Sequence, residues 1–180
     1  VVSAANSMSE VPLARWDGAA ASAPLPEPIA CRTHHGGFVR SAELAANEAF
    51  GIAPAEASAM DPAQRLLLEG GYSALHASGL DRSALGGSLS GVFLGFAGTE
   101  FGQLLASTPV GSSVYAVTGS SISIASGRLS YALGLHGPCV TYDTACSAAL
   151  SACHAGLRAL QLDECTSALV LGVQLMLGPG

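Results

Sequence analysis

Cys146 is the residue whose type and position fit covalent chemistry in this sequence. The stretch before it, residues 140–144, is rich in β-branched residues and typical of a strand, and residues 146–161 have the pattern of a helix. A residue at such a junction lies at the carboxyl end of the sheet, where open α/β folds bind ligands. The N–H groups and dipole of the helix N-terminus favour the thiolate, which is the nucleophilic form.

The sequence therefore predicts that Cys146 is a nucleophile, the thiol counterpart of the serine at a nucleophile elbow. Small residues at positions 145 and 147–149 would leave room for a bulky acyl group. The backbone N–H of Cys146 would be available to hold an oxyanion.

The other four cysteines are expected to be structural, because a free cysteine is usually a small buried hydrophobe. Cys139 falls in a predicted strand, Cys153 on the inward face of the predicted helix, Cys31 in a loop, and Cys165 just before the last strand. The odd total of five favours free thiols over a disulfide framework. The same structural interpretation stays open for Cys146 on the evidence of its position alone.

A metal site is a second alternative, because Cys139, Cys146, Cys153 and His154 are close in sequence. Seven helical residues separate Cys146 from Cys153 by about 10 Å of rise, which is too far for one tetrahedral ion. Neither C-x-x-C nor H-E-x-x-H occurs. We therefore expect no bound metal.

A thiolate nucleophile needs a base or an electrostatic partner, and no histidine has a spacing that identifies it as one. His154 lies on the same predicted helix as Cys146, about 12 Å away. The others lie in a loop, a helix and a turn: His34, His35, His76 and His136. The residues alone thus provide a nucleophile without a base.

The elements predicted around this cysteine alternate between helix and strand along the chain. A short helical pattern covers 42–50, and longer helices are predicted over 61–79, 120–133 and 146–161. Strands are predicted over 91–98, 138–145 and 167–177. This alternation predicts an α/β fold with a mostly parallel sheet.

The helix over 61–79 has the clearest signals. Asp61 suits the N-cap, Pro62 the first helical position, and Gln64 the third, which completes a capping box. Glycines at 70 and 71 indicate close packing, and the glycine at 79 ends the helix.

Residues 1–37 are rich in Ala, Pro and Ser, and three prolines at 24, 26 and 28 predict an extended or loop stretch. We therefore expect one partial domain over 1–180, mostly loop over 1–37 and with its α/β core over 38–180.

Composition excludes several classes of function. Lysine is absent and the seven arginines are scattered, so a nucleic-acid surface, Schiff-base chemistry and a P-loop are not expected. No signal peptide and no membrane span is visible, so we expect a reducing compartment, the cytoplasm or a plastid. Charged residues make up only 11%, which suggests that a partner or further chain covers part of the surface.

The segment GPCVTYDTACSAALSACHAGLRAL (137–160) resembles the active-site signature of β-ketoacyl synthases, especially those of modular polyketide synthases. The family pattern is G-P-x-x-x-x-D-T-A-C-S-S-S-L. Ala148 and Ala149 replace two of its serines, and the matching residues are Asp143, Thr144, Ala145, Cys146, Ser147 and Leu150.

Further segments are similar to the family in the same order along the chain. They are VPLARWD (11–17), HGGFV (35–39), the stretch 49–80 with MDPAQR, GVFLG (91–95), SGRLSYALGLHGP (126–138) and SALVLGVQLMLGP (167–179).

The resemblance implies a thiolase-like fold, a layered αβαβα arrangement of two similar halves, of which this chain is the N-terminal one. It implies that Cys146 accepts an acyl group from a thioester. A malonyl unit on an acyl carrier protein then loses carbon dioxide and condenses with the acyl-cysteine. No bound cofactor is implied, since the phosphopantetheine arm of the carrier protein holds the substrate, and the family forms homodimers.

The family's two catalytic histidines lie in motifs, H-G-T-G-T and a later G-H, that do not occur here. This chain alone is therefore expected not to condense. Two alternatives remain: a non-catalytic scaffold or dimer partner of ketosynthase fold, and a thiolase-like enzyme that uses coenzyme A thioesters. The retained Cys146 and the D-T-A-C-S signature favour the condensing enzyme.

Overall fold

The computed structural model describes residues 7–39, 42, 46–98 and 100–179. The chain divides into two compact units, one formed by 1–41 with 175–180 and the other by 42–174, which contains Cys146. Among the helices of the described residues, none is long and apolar enough to cross a membrane.

The smaller unit has more regular structure than the sequence predicted. Its elements are β1 (Ser9–Glu10) and β2 (His35–Gly36), which pair antiparallel, and the helices α1 (Gly18–Ser22) and α2 (Glu27–Thr33). The prediction of a loop through the prolines was wrong at α2, which also contains Cys31. Pro26 is the N-cap and Pro28 lies in the first turn. The N–H groups there have no intrahelical acceptor, so proline costs the helix no hydrogen bond.

The larger unit is built around a three-stranded sheet, which is parallel as predicted, and its strands lie in the order β4-β3-β5. Short 3₁₀ turns cover Asn47–Phe50, Pro109–Ser112 and Ala145–Ser147. The helices and strands, in chain order, are α3 (Pro54–Ser58), α4 (Pro62–Ala77), α5 (Arg82–Leu85), β3 (Ser90–Gly95), α6 (Phe101–Ala106), α7 (Ala116–Ser120), α8 (Ile122–Leu133), β4 (Cys139–Tyr142), α9 (Ala148–Gln161) and β5 (Ser167–Gly172).

Helices cover both faces of this sheet. A Cβ placed on Gly156 of α9 would lie 3.0 Å from Val170 of β5, whereas one on Gly71 of α4 would lie 3.2 Å from Leu171. Successive side chains of a strand point to opposite faces, so α9 packs on one face and α4 on the other. Central strand β3 is buried along its whole length, which explains its continuous run of apolar and small residues.

The N-terminus of α4 is capped as predicted at Asp61 and differently at Gln64. The Asp61 carboxylate accepts the N–H of Ala63 at 2.7 Å, but its own N–H donates to the carbonyl of Gly119 at 2.9 Å. The predicted capping box was therefore wrong. Gln64 is 1% exposed and its side-chain amide donates to that same carbonyl at 3.0 Å. Carbonyl groups at the end of α7 need buried donors, and Gln64 provides one.

A partly buried polar cluster continues from Gln64 to two other helices. Arg128 of α8 donates from Nε to the Gln64 side-chain oxygen at 2.9 Å and forms an ion pair with Glu56 of α3. The cluster thereby ties α3, α4 and α8 together on one side of the sheet.

The two adjacent glycines of α4 differ. A Cβ on Gly71 would meet Leu129 at 3.0 Å, so the predicted close packing is confirmed there. Gly70 is exposed with nothing within 4 Å, so the prediction was wrong for it. Gly79 has φ +88° just after the helix and ends it as predicted, because glycine adopts this conformation without steric cost.

Element bounds were predicted too generously. The three strands end at residues 95, 142 and 172, earlier than the predicted 98, 145 and 177. The helical pattern over 42–50 corresponds to the 3₁₀ turn Asn47–Phe50, and its residues 43–45 lie outside the described part. The helix predicted over 120–133 is α8, and residue 120 is the end of α7.

Candidate active site

Cys146 lies where β4 gives way to α9, at the carboxyl end of the parallel sheet. The strand ends at Tyr142, a 3₁₀ turn spans Ala145–Ser147, and α9 begins at Ala148. Cys146 thus lies in the turn before the helix and not in its first turn, because α9 begins two residues later than predicted. Its side chain is exposed.

The backbone is strained just before this cysteine. Ala145 has φ +52°, a left-handed conformation that costs a non-glycine residue about 1 kcal/mol. Its N–H donates to Asp143 Oδ1 at 3.3 Å. The hydroxyl of Ser147 donates to the carbonyl of Thr144 at 2.8 Å and lies 2.9 Å from the Thr144 hydroxyl. These bonds hold the turn closed against the strain.

The roles of Asp143, Thr144 and Ser147 in this turn were not predicted from the sequence. The signal was present, because Asp, Ser and Thr side chains between a strand and a helix often hydrogen-bond the nearby backbone. The structure places all three around the turn that presents Cys146.

The backbone N–H of Cys146 is not used by this turn. The described hydrogen bonds use the N–H groups of Ala145, Ser147 and Ala148, whose acceptors lie within the same turn. Within the described part of the chain, the Cys146 N–H has no acceptor, so it is available to an anion or oxyanion.

A cavity of about 510 Å³ opens beside the Cys146 thiol. Most of its lining side chains are absent or small and apolar. The lining residues are Gly95, Ala97, Ala145, Cys146, Ala148, Ala149, Gly172, Val173 and Gln174. Such a wall suits an apolar chain attached to the sulfur.

Glycines at two strand ends allow the first turn of α9 to reach the sheet. A Cβ on Gly95 would lie 2.5 Å from the carbonyl carbon of Ala148, and one on Gly172 would lie 3.0 Å from Cβ of Ala149. The first turn of α9 therefore packs directly on the ends of both strands, through its backbone at Gly95 and through the Ala149 methyl group at Gly172. This contact fixes the height of Cys146 above the sheet.

The remaining cysteines are distributed differently from the prediction. Cys165 is buried, and that burial raises the pKa of its thiol. Cys153 is exposed, so the prediction that it faces inward was wrong; Ala152, Gly156 and Ala159 form the buried face of α9 instead. Since only small residues fit against β3, the neighbouring Cys153 is turned outward. Cys31 and Cys139 are also exposed.

No described residue in the cavity wall is a histidine. His34 lies in the smaller unit, where a ring nitrogen is 2.9 Å from the Ser22 hydroxyl, and His154 is exposed on α9. Among the residues whose placement is described, no group of three or more His, Cys, Asp or Glu side chains could hold a metal ion.

Comparison with known proteins gives consistent matches. Residues 1–180 match the family model described as Beta-ketoacyl synthase, N-terminal domain. The chain is 46% identical over 182 residues to polyketide synthase GfsB of Streptomyces halstedii, covering all of this chain and 3% of that protein. It is 42% identical over 173 residues to a mycocerosic acid synthase-like polyketide synthase of Mycolicibacterium smegmatis, covering 96% of this chain and 8% of that protein.

A similar solved structure is the ketosynthase from module 6 of the bacillaene synthase of Bacillus subtilis 168, with a TM-score of 0.83 and 33% identity. The match covers 98% of this chain and 28% of that one. The likeness confirms the predicted fold class, α/β of the thiolase-like type. The chain spans less than a third of the solved ketosynthase and a small fraction of the curated relatives.

Proposed function

This chain belongs to the β-ketoacyl synthase family, and from that premise we propose that it carries the acyl-accepting site of a condensing enzyme of polyketide or fatty-acid synthesis. One observation supports the proposal above others. The exposed Cys146 thiol stands beside an apolar cavity with its own backbone N–H unused.

The first step of the proposed reaction is acyl transfer to Cys146. Its thiolate attacks the carbonyl carbon of an acyl thioester, and the Cys146 N–H donates a hydrogen bond to the oxyanion that forms. The bond from carbon to the donor sulfur then breaks, and the departing thiolate takes up a proton. The acyl chain occupies the cavity lined by Ala97, Ala149 and Val173.

The second step is decarboxylative condensation. A malonyl thioester loses carbon dioxide, and the carbanion attacks the carbonyl carbon of the acyl-cysteine. A carbon–carbon bond forms, the bond to the Cys146 sulfur breaks, and the thiolate is regenerated. The β-ketoacyl product stays on the carrier protein, whose phosphopantetheine arm holds the substrate, so no bound cofactor takes part.

The family motifs that contain the catalytic histidines do not occur in these 180 residues. We therefore expect the chain by itself to accept an acyl group without condensing it. The proposed partners are an acyl carrier protein, acyl and malonyl thioesters, and a second copy of the protein. The outer strand β4 supports the homodimer, since its Val140 is 38% exposed. Five free cysteines support a reducing compartment such as the cytoplasm.

Of the two alternatives, the non-catalytic scaffold is less well supported, because a scaffold needs no thiol beside a cavity. The thiolase-like enzyme differs in its donor, coenzyme A in place of a carrier protein. The two donors are compared directly in the experiment.

The experiment measures acylation of the full-length protein by an acyl pantetheine thioester, with intact mass and peptide mapping as readouts. We expect a label on Cys146, and no such label in the Cys146→Ala variant. Cys153, equally a free and exposed cysteine on the adjacent helix, is the internal control. Equal labelling of Cys146 and Cys153 would contradict the proposed site.

Condensation is then measured by adding malonyl-acyl carrier protein or malonyl coenzyme A to the acylated protein. This step uses a protein that also contains the downstream histidine motifs. A β-ketoacyl product from the carrier protein then supports the proposal, and a product from coenzyme A alone supports the thiolase-like alternative. An acylated protein that contains those motifs and gives no product supports the scaffold.

A further inference from the structure

Gln174 is unusual in the cavity beside Cys146. Of the lining residues, only Cys146 and Gln174 have polar side chains, and the rest are glycine, alanine and valine. A carboxamide has one acceptor oxygen and two donor hydrogens, so it can bind a polar group on a ligand.

The position of Gln174 is fixed by the end of the sheet. Val173 donates its N–H to the carbonyl of Gly95 at 3.2 Å, which anchors the chain one residue before Gln174. Gly172, two residues before Gln174, faces Ala149 in the first turn of α9. Gln174 lines the same cavity as Cys146.

The Gln174 amide has no competing partner within the described residues. None of their hydrogen bonds uses this side chain, which is exposed at the cavity. A ligand that fills the cavity would remove water from the amide. An amide that loses water without gaining a hydrogen bond weakens binding, whereas a matching hydroxyl restores the bond.

We propose that Gln174 is a specificity residue that favours acyl groups with a hydroxyl near the thioester, such as 3-hydroxyacyl chains, over saturated chains of the same length. The proposal rests on the proposed function, because the acyl group must be attached to Cys146. The hydroxyl is expected near the thioester because Gln174 and Cys146 line the same cavity, and the 3-hydroxyacyl chain is the form that the test uses.

The test compares the rates at which Cys146 of the full-length protein is acylated by hexanoyl- and 3-hydroxyhexanoyl-pantetheine, measured by intact mass. In the unmodified protein the hydroxylated chain should react faster. In Gln174→Leu the ratio of the two rates should fall about tenfold, which corresponds to one lost hydrogen bond to a neutral group.

Two further variants sharpen the interpretation. Gln174→Glu keeps an acceptor of similar length and should keep the preference for the hydroxylated chain. Gln103→Leu changes an exposed glutamine on α6, away from the cavity lining, and should leave the ratio as it is.

The outcomes separate this inference from the proposed function. A ratio that is the same in Gln174→Leu as in the unmodified protein, with Cys146 acylated in both, overturns the role of Gln174 and leaves the function standing. No acylation of Cys146 by either thioester overturns the proposed function and this inference with it.

Discussion

Replacing Gly95 by alanine should move Cys146 without touching it. Gly95 ends β3, and the first turn of α9 lies on it backbone to backbone. The new Cβ would lie 2.5 Å from the carbonyl carbon of Ala148 and closer still to the amide nitrogen of Ala149. Backbone atoms cannot rotate away as a side chain can, so the helix turn itself must move.

The size of the effect follows from that distance. An ordinary contact of a Cβ begins at 3.4 Å, so the turn must shift by roughly 1 Å, and overpacking of this kind costs about 3 kcal/mol at the upper end of its usual range. Cys146 is two residues before Ala148 and moves with it. A misplacement of about 1 Å at a reacting group can lower a rate about 100-fold.

The assay combines urea unfolding with the rate of Cys146 acylation, both measured on the full-length protein. Gly98→Ala is the matched control, because Gly98 follows the same strand, is exposed and has nothing within 4 Å of its Cβ position. It should change neither quantity appreciably. If Gly95→Ala unfolded at the same urea concentration as the unmodified protein and acylated within about threefold of its rate, the contact would not position the nucleophile.

Three other predictions concern stability. Gly70→Ala should raise the free energy of unfolding by about 1 kcal/mol, because Gly70 is exposed in mid-helix. Gly71→Ala should raise that free energy less, because its new Cβ would meet leucine side chains. Urea unfolding of the two variants checks this. Gln64→Leu should lower the free energy of unfolding by about 3 kcal/mol, because buried carbonyls and Arg128 each lose a hydrogen bond, and an unchanged urea midpoint would contradict it. Burial raises the pKa of the Cys165 thiol, so as pH rises the unfolded chain loses this proton before the folded chain does. The contribution of the neutral thiol to stability is therefore full below about pH 8.5 and declines above it. Cys165→Ala should show a smaller drop in urea midpoint between pH 7 and pH 9.5, and an equal drop would contradict this assignment.

The order of elements and the place of Cys146 could be predicted from the sequence because both depend on local patterns. A run such as GVFLG is apolar throughout and short, which is typical of a strand buried on both faces. The change from β-branched residues before Cys146 to alanines after it marks the turn between strand and helix.

Interactions between distant segments could not be predicted in the same way. Gln64 had the spacing of a capping box, but the carbonyl that it binds belongs to Gly119, 55 residues away. Local spacing does not show which unpaired backbone carbonyl groups of another helix will lie beside this side chain. The predicted orientation of Cys153 failed for a related reason, because the buried face of α9 is set by the small residues that fit against β3.

The small residues around Cys146 predicted space for an acyl group, but the glycines at the ends of two strands that also line the cavity were not predicted. Gly95 and Gly172 come from different strands and meet Ala149 only in the folded chain. The spacing of these residues along the sequence contains no signal of that contact. Both residues lack a Cβ at the point where the helix approaches. That property indicates the helix contact only once β3 and β5 are known to be parallel neighbours.

Packing also explains the two alanines that stand where the family signature has serines. Ala148 is 4% exposed against the sheet, where a hydroxyl would need a buried partner, and alanine removes that requirement. Ala149 packs against Gly172 and lines the cavity, where its methyl group keeps the wall apolar. The two alanines therefore leave Gln174 as the polar side chain that an acyl group would meet beyond the thiol.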